Sequence, residues 1–291
     1  MTESSTVRRE LADPYGEWAG TRGVLMSYRY LASRPKAIDR DHAEGWIALR
    51  PDLRAPGGVL AAPLAIAMLD VAGINVDPIN ILALTQVDLE VIDPSSDVDE
   101  VHLVGHVTCE TRSQIFTEVR MHDGANPERA IGFGTANWSV IAPTPAGFTY
   151  PEPGTGIEGL EVVPPLHEAY TGRRRDDGRL EIPGLTPKIG TDRLHHGPML
   201  VVGEAAALQA ATEHLGTDAL AAEHLGLTIV RPGRVGPFVA SPVLIGVAGR
   251  AVAVRVELHD DGNGGRLFAA MLLRMRVMDC RDDGRRHWHH R

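Results

Sequence analysis

The chain has 291 residues, 43% hydrophobic and 23% charged, an ordinary globular composition with length for one large domain or two of average size. Thirty-eight acidic residues against 29 Lys plus Arg give a net charge of −9, which argues against nucleic acid and anionic membrane surfaces as partners. Two cysteines, Cys109 and Cys280, without CxxC or His-rich spacing, argue against a disulfide framework and a metal site.

The opening MTESSTVRRELADPYG has no apolar signal core, and no run approaches the roughly 18 to 20 apolar residues of a membrane helix, so a cytoplasmic location is expected. Residues 1–42 read as an N-terminal extension, and AEGWIALRPDLR (43–54) as an entering strand. APGGVLAAPLAIAMLDVAG (55–73) then reads as a helix opened by Gly57-Gly58. From Val59 to Ile74 every residue is apolar, small or Pro except Asp70. Such a helix, about 24 Å long at about 1.5 Å per residue, must be enclosed. Pro63 is tolerated cleanly only in a first helical turn, which moves the expected start toward Ala62. A lone carboxylate in these surroundings costs several kcal/mol or titrates upward, so Asp70 needs a partner or a task.

Four strands follow: LTQVDLEVID (84–93), EVHLVGHVTCE (100–110), SQIFTEVRMHD (113–123) and AIGFGTANWSVI (130–141). Val87, Leu89 and Val91 alternate with Asp88 and Glu90, the period of a half-buried strand. Residues 143–177, rich in Pro and Gly at first, read as a linker. Beyond it, LEIPGLTPKIG (180–190) is a weaker strand, and HHGPMLVVGEAAALQAATEHLG (195–216) is a second apolar helix, with Glu204 on its apolar side. Strands at 224–232, 238–249, 251–262 and 266–279 complete the chain, and 281–291 reads as a disordered tail.

The second half thus repeats the order of the first, and the Arg112 to His122-Asp123 stretch is echoed by Arg250 to His259-Asp260. An internal duplication explains this agreement better than two unrelated domains. The expected class is α+β, with two units (43–142 and 178–280), each a curved antiparallel sheet around a long helix.

A Gly-opened buried helix followed by four antiparallel strands resembles the hot-dog fold of acyl-CoA thioesterases and acyl hydratases, and two copies resemble its double hot-dog arrangement. The resemblance implies an acyl-CoA or other acyl thioester as partner, no cofactor, no metal, and further assembly through sheet edges and faces. It places the thioester between two units, where the helix start of one faces an acid on the helix of the other. Exposed N–H groups at a helix start stabilise a developing oxyanion, and an acid attacks or deprotonates water.

Two constellations are implied. One joins Asp70 to His195, His196 and Gly197; the other joins Glu204 to Gly57 and Gly58. Asp70, Glu204 and His196 are the catalytic candidates, and Gly57, Gly58, His195 and Gly197 the substrate-binding ones. Thioesterases of the phenylacetate-pathway type carry His-Gly-Gly with Asp about two turns on. This chain has Pro56-Gly57-Gly58 with Ala65 at that place, and His196-Gly197-Pro198 in its second half. Glu204 falls on the expected acid if His195 is the motif His and one place before it if His196 is. Arg173-Arg174-Arg175 suits either a solvated cluster or a CoA phosphate. Hydration or dehydration of an acyl thioester and non-catalytic acyl binding are the alternatives to hydrolysis.

Overall fold

The computed structural model describes residues 25–31, 33–76, 80–144 and 164–278. The first half contains α1 (Met26–Arg29), β1 (Lys36–Ala37), β2 (His42–Ala48), the short pair β3 (Arg54–Ala55) and β4 (Gly58–Val59), and α2 (Ala61–Gly73). Strands β5 (Asn80–Val91), β6 (Glu100–Glu110), β7 (Gln114–Asp123) and β8 (Ala130–Pro143) follow. The second half contains α3 (Leu166–Ala169), β9 (Arg173–Arg174), β10 (Leu180–Ile182) and α4 (His196–Leu215). It ends with β11 (Leu220–Ile229), β12 (Phe238–Ala248), β13 (Ala251–Asp260) and β14 (Arg266–Val277).

Twelve strands form one antiparallel sheet in the order β1-β2-β6-β7-β8-β5-β11-β14-β13-β12-β10-β9. The order is palindromic about the β5–β11 junction. There Leu89 lies opposite Leu225 and Val87 opposite Leu227, and all four are buried. Alternation makes this join favourable, because the apolar sides of both strands face the same core. Separate sheets were expected from the sequence, and this pairing merges them.

Helix α2 packs on β2, β6 and β7, α4 on β10, β12 and β13, and the two helices touch each other. All 13 residues of α2 are buried, as its nearly uniform apolar composition requires. The last turns of α4 emerge toward solvent at Glu213 and His214, and Gly216, at φ 70°, ends the helix in the left-handed conformation.

Helix α2 starts two residues later than Val59. Val59 belongs to the β3–β4 pair and donates its N–H to the Pro94 carbonyl at 2.8 Å. Leu60 is still extended, and Pro63 falls within the first turn, where its missing N–H costs no helical bond. In the 180–190 stretch only Leu180–Ile182 is a strand, and α3 and β9 lie inside the expected linker. Residues 145–163 and 281–291 are outside the described residues, as is Cys280; Cys109 is an exposed free thiol. Within the expected N-terminal extension, Leu25, Tyr30 and Leu31 are buried.

A large residue and a glycine trade places between the halves. Met68 on α2 fills the space above Gly134 on β8, whereas Met271 on β14 fills the space beside Gly203 on α4. A Cβ at Gly203 would overlap the Met271 sulfur. Gly203→Ala is therefore expected to lose roughly 1 to 3 kcal/mol by overpacking, and Met271→Ala roughly 2 to 5 kcal/mol by leaving a cavity. The double variant should lose less than the sum, since the small side chains share the space. Denaturant unfolding of the four proteins checks the coupling.

Candidate active site

A helix start leaves its first N–H groups without intrahelical partners. In α2 the Leu60 N-cap supplies no side-chain bond. The acceptor comes from the other half of the chain: Ala61 N–H donates to Glu204 Oε1 at 2.7 Å and Ala62 N–H to Oε2 at 2.8 Å. Glu204 is the ninth residue of α4 and only 2% exposed. Two charge-assisted bonds and the positive end of the α2 dipole favour its ionised form there. Burial works against them and is the larger effect: the carboxyl is pushed from 4.5 up to about 7, with the Ala62 and Ala61 amides holding it down.

Glu204 lies in the wall of a cavity of about 520 Å³. Asp52, Arg54 and Leu60 contribute from the first half; Leu180, Val201 and Leu208 give apolar surface from the second, with His167, Arg174 and Gln209 as its polar groups. The Arg54 guanidinium is occupied by backbone carbonyls, with Ser95 O at 2.6 Å, Leu49 O at 3.1 Å and Val98 O also accepting. It braces the loops around the helix start. Asp52 accepts from Arg50 Nε at 3.0 Å and from the Tyr30 hydroxyl at 3.1 Å. Burial, Asp52 and its hydrogen bond push Tyr30 up to about 12, and burial draws His167 below its ordinary value.

Gly57 and Gly58 sit just before this helix start rather than in it. A Cβ on Gly57 would run into the Leu220 backbone, and Gly58 has φ +142° with the Pro94 oxygen 2.5 Å from its Cβ position. Gly57 lets the chain approach β11 closely, and Gly58 lets it approach Pro94. The amides that meet the acid belong to Ala61 and Ala62; Pro63, which marks the first turn, points to a start near Ala62, but nothing in the sequence singles out Ala61.

The other constellation is arranged differently. Asp70 is 1% exposed and accepts a hydrogen bond from the Ser33 hydroxyl. Its charge bears on Tyr170, whose hydroxyl is held well above its ordinary pKa by burial first and then by Asp70. Tyr170 packs edge-on to Tyr30 at 5.7 Å and donates to the Met26 carbonyl at 3.1 Å. At the start of α4, His195 Nδ1 lies 2.9 Å from the Ser27 hydroxyl, and the His195 and His196 rings are 3.8 Å apart. A Cβ on Gly197 would overlap the Ser27 hydroxyl and approach Tyr170 Cε1 at 3.3 Å. The chain's own Ser27 and Tyr170 thus pack against this helix start, while the cavity beside Glu204 is lined at the other by Leu60. Among the described residues no cluster of metal-ligating side chains occurs, and no helix is long and apolar enough to cross a membrane.

Long buried helices lying on a large antiparallel sheet define the hot-dog fold. No family model matches the sequence, and no curated protein does. Solved structures match the fold. The TesB protein of Mycobacterium avium subspecies paratuberculosis superposes with a TM-score of 0.59 at 12% identity, over 84% of this chain and 96% of that one. The acyl-CoA thioesterase II TesB2 of Mycobacterium marinum gives 0.56 at 11% identity, over 84% and 96%. A hot-dog protein of unknown function from Alicyclobacillus acidocaldarius gives 0.54 at 9% identity, over 84% and 96%.

Proposed function

We propose that the protein is a double hot-dog enzyme that hydrolyses an acyl thioester, of CoA or a related carrier, in the cavity beside Glu204. In this reading the units are residues 43–142 and 178–280, related by duplication, and the thioesterase structures that share the fold support the substrate class. The observation that carries it is the seating of a buried acid from one half on the free helix amides of the other, in a cavity wall made by both. Glu204 is the general base, and the N–H groups of Ala61 and Ala62 are the oxyanion donors. Asp70, His195, His196 and Gly197 form the covered counterpart and have no part in the reaction.

Without substrate, both amides are taken by the carboxylate. An entering thioester carbonyl displaces one carboxylate oxygen from its N–H. The freed oxygen loses a bond that held its pKa down, so it gains basicity as it faces the attacking water. Water adds to the carbonyl carbon while its proton passes to Glu204, and the amide holds the negative oxygen of the adduct. Collapse breaks the carbon–sulfur bond, and the proton on Glu204 neutralises the departing thiolate. The products are the carboxylic acid and the free thiol.

A base whose pKa is about 7 predicts that kcat/KM rises with pH as a single-proton limb centred near 7. The protonated acid below that value has no basic oxygen. Thiol release followed from about pH 5.5 to 8.5 checks this, and a limb at the ordinary carboxyl value would count against Glu204. Non-catalytic acyl binding is the second reading, favoured by the fact that both Glu204 oxygens already have partners. It predicts acyl-CoA binding with no thiol release.

A further inference from the structure

We propose that Arg174 is a specificity-determining residue that makes this cavity select thioesters whose acyl chain ends in a second carboxylate. The inference rests on the thioesterase reading and adds the substrate class. Its origin is strand alternation through three consecutive arginines. In the β9–β10 register Arg173 lies opposite Glu181 and Arg174 opposite Leu180, so neighbouring guanidiniums leave opposite faces. Arg173 pairs with Glu181 at 2.7 Å, and Arg175 with Asp261 at 2.9 Å. Arg174 shares the other face with Leu180, and both line the cavity. Among the described residues its hydrogen bond is one neutral contact, Nη1 to the Gly178 carbonyl at 3.3 Å, and no carboxylate pairs with it.

The place of this cation along the cavity sets the length of the ligand. Gln209 Nε2 donates to the same Gly178 carbonyl at 3.3 Å and to Glu213 Oε1 at 2.9 Å, so Arg174 and Gln209 are neighbours in the cavity wall. Glu204 and Gln209 are five positions apart on α4, about 7.5 Å of helical rise. A medium-length acyl chain whose thioester carbon lies at Glu204 brings its far end to that point. The phosphates of CoA, beyond the whole pantetheine arm, are much farther from the thioester. The remaining polar groups do not compete for an anion's partner: Asp52 is paired with Arg50 at 3.0 Å. His167 is drawn below its ordinary pKa by burial, against the Glu168 charge and with the Arg174 charge contributing. Arg174 is exposed and offers a two-pronged donor to a carboxylate, whereas a methyl terminus gives it no acceptor.

The test compares adipyl and hexanoyl thioesters, each on CoA and on phosphate-free N-acetylcysteamine, with the wild type and Arg174→Gln. The wild type should prefer adipyl on both carriers, and Arg174→Gln should lose roughly 10 to 100-fold in kcat/KM for adipyl while hexanoyl changes less than about twofold. Equal losses on both acyl groups, no loss, or a loss confined to CoA thioesters, which would assign Arg174 to a carrier phosphate, each overturn the proposal. Equilibrium binding of the uncleavable thioethers carboxypentyl-CoA and hexyl-CoA separates it from the hydrolysis reading. Selective weakening of the carboxylated ligand by Arg174→Gln in a protein that releases no thiol would uphold Arg174 and reject hydrolysis. Equal binding of the two thioethers, or binding of neither, would reject the Arg174 assignment itself.

Discussion

Glu204→Gln is expected to leave the protein folded and to reduce thioester turnover by roughly 10³-fold, within the range for loss of a positioned general base. The amide keeps the side-chain length and one oxygen able to accept from Ala61 or Ala62, so α2 retains a cap. It has no basic lone pair at neutral pH. Stability moves the other way. The unfolded carboxyl releases its proton near 4.5 and the native one near 7. Between those values the native state holds a proton the unfolded state has lost, so stability falls as pH rises through the window, by roughly 3 kcal/mol in all. Glutamine carries no such dependence. The melting curve of the variant should therefore gain on the wild type from about pH 5 to about pH 8. Full turnover in a folded Glu204→Gln protein would reduce Glu204 to a structural cap and leave the second reading.

How much of this was readable from the residues alone depends on whether the determining contact is local. Helix and strand positions followed from periodicity, because alternation at Val87, Leu89 and Val91 and the apolar run to Ile74 are local signals. The acid within the apolar run of each helix, Asp70 and Glu204, was visible for the same reason. The join of β5 to β11 was not, since pairing partners more than a hundred residues apart leave no trace in either strand's pattern. The position of the helix start was partly legible: Pro63 limited it to one turn, but the Val59 amide bonding to Pro94 decided it. The asymmetry of the two constellations was illegible. Glu204 and Asp70 look alike in sequence, but Glu204 accepts from the Ala61 and Ala62 amides and Asp70 from the Ser33 hydroxyl, long-range partners whose own sequence neighbourhoods carry no motif.

Gly57→Ala should be a strongly damaging substitution at the helix start, losing roughly 3 to 5 kcal/mol and roughly 10 °C in Tm. The added Cβ would come within 2.2 Å of the Leu220 carbonyl carbon and oxygen and 2.6 Å of the Ala221 nitrogen. A flexible side chain can swing away from such an overlap; a backbone inside a sheet cannot. Leu220 and Ala221 open β11, where they pair with Val277 and Arg276 of β14, and the same strand carries the junction with β5. Relief must come either from lifting β11, which loosens the seam between the halves, or from lifting the β3–β4 pair. The second route moves Leu60 and draws the Ala61 and Ala62 amides off Glu204, so the buried acid loses its two hydrogen-bond partners. Either route couples lost stability to lost turnover. Gly246→Ala is the matched control, because a Cβ there meets nothing within 4 Å, and its expected change is within about 0.5 kcal/mol. Thermal unfolding of both variants decides the matter: a Gly57→Ala midpoint as high as that of Gly246→Ala would mean that the approach to β11 does not hold the helix start in place.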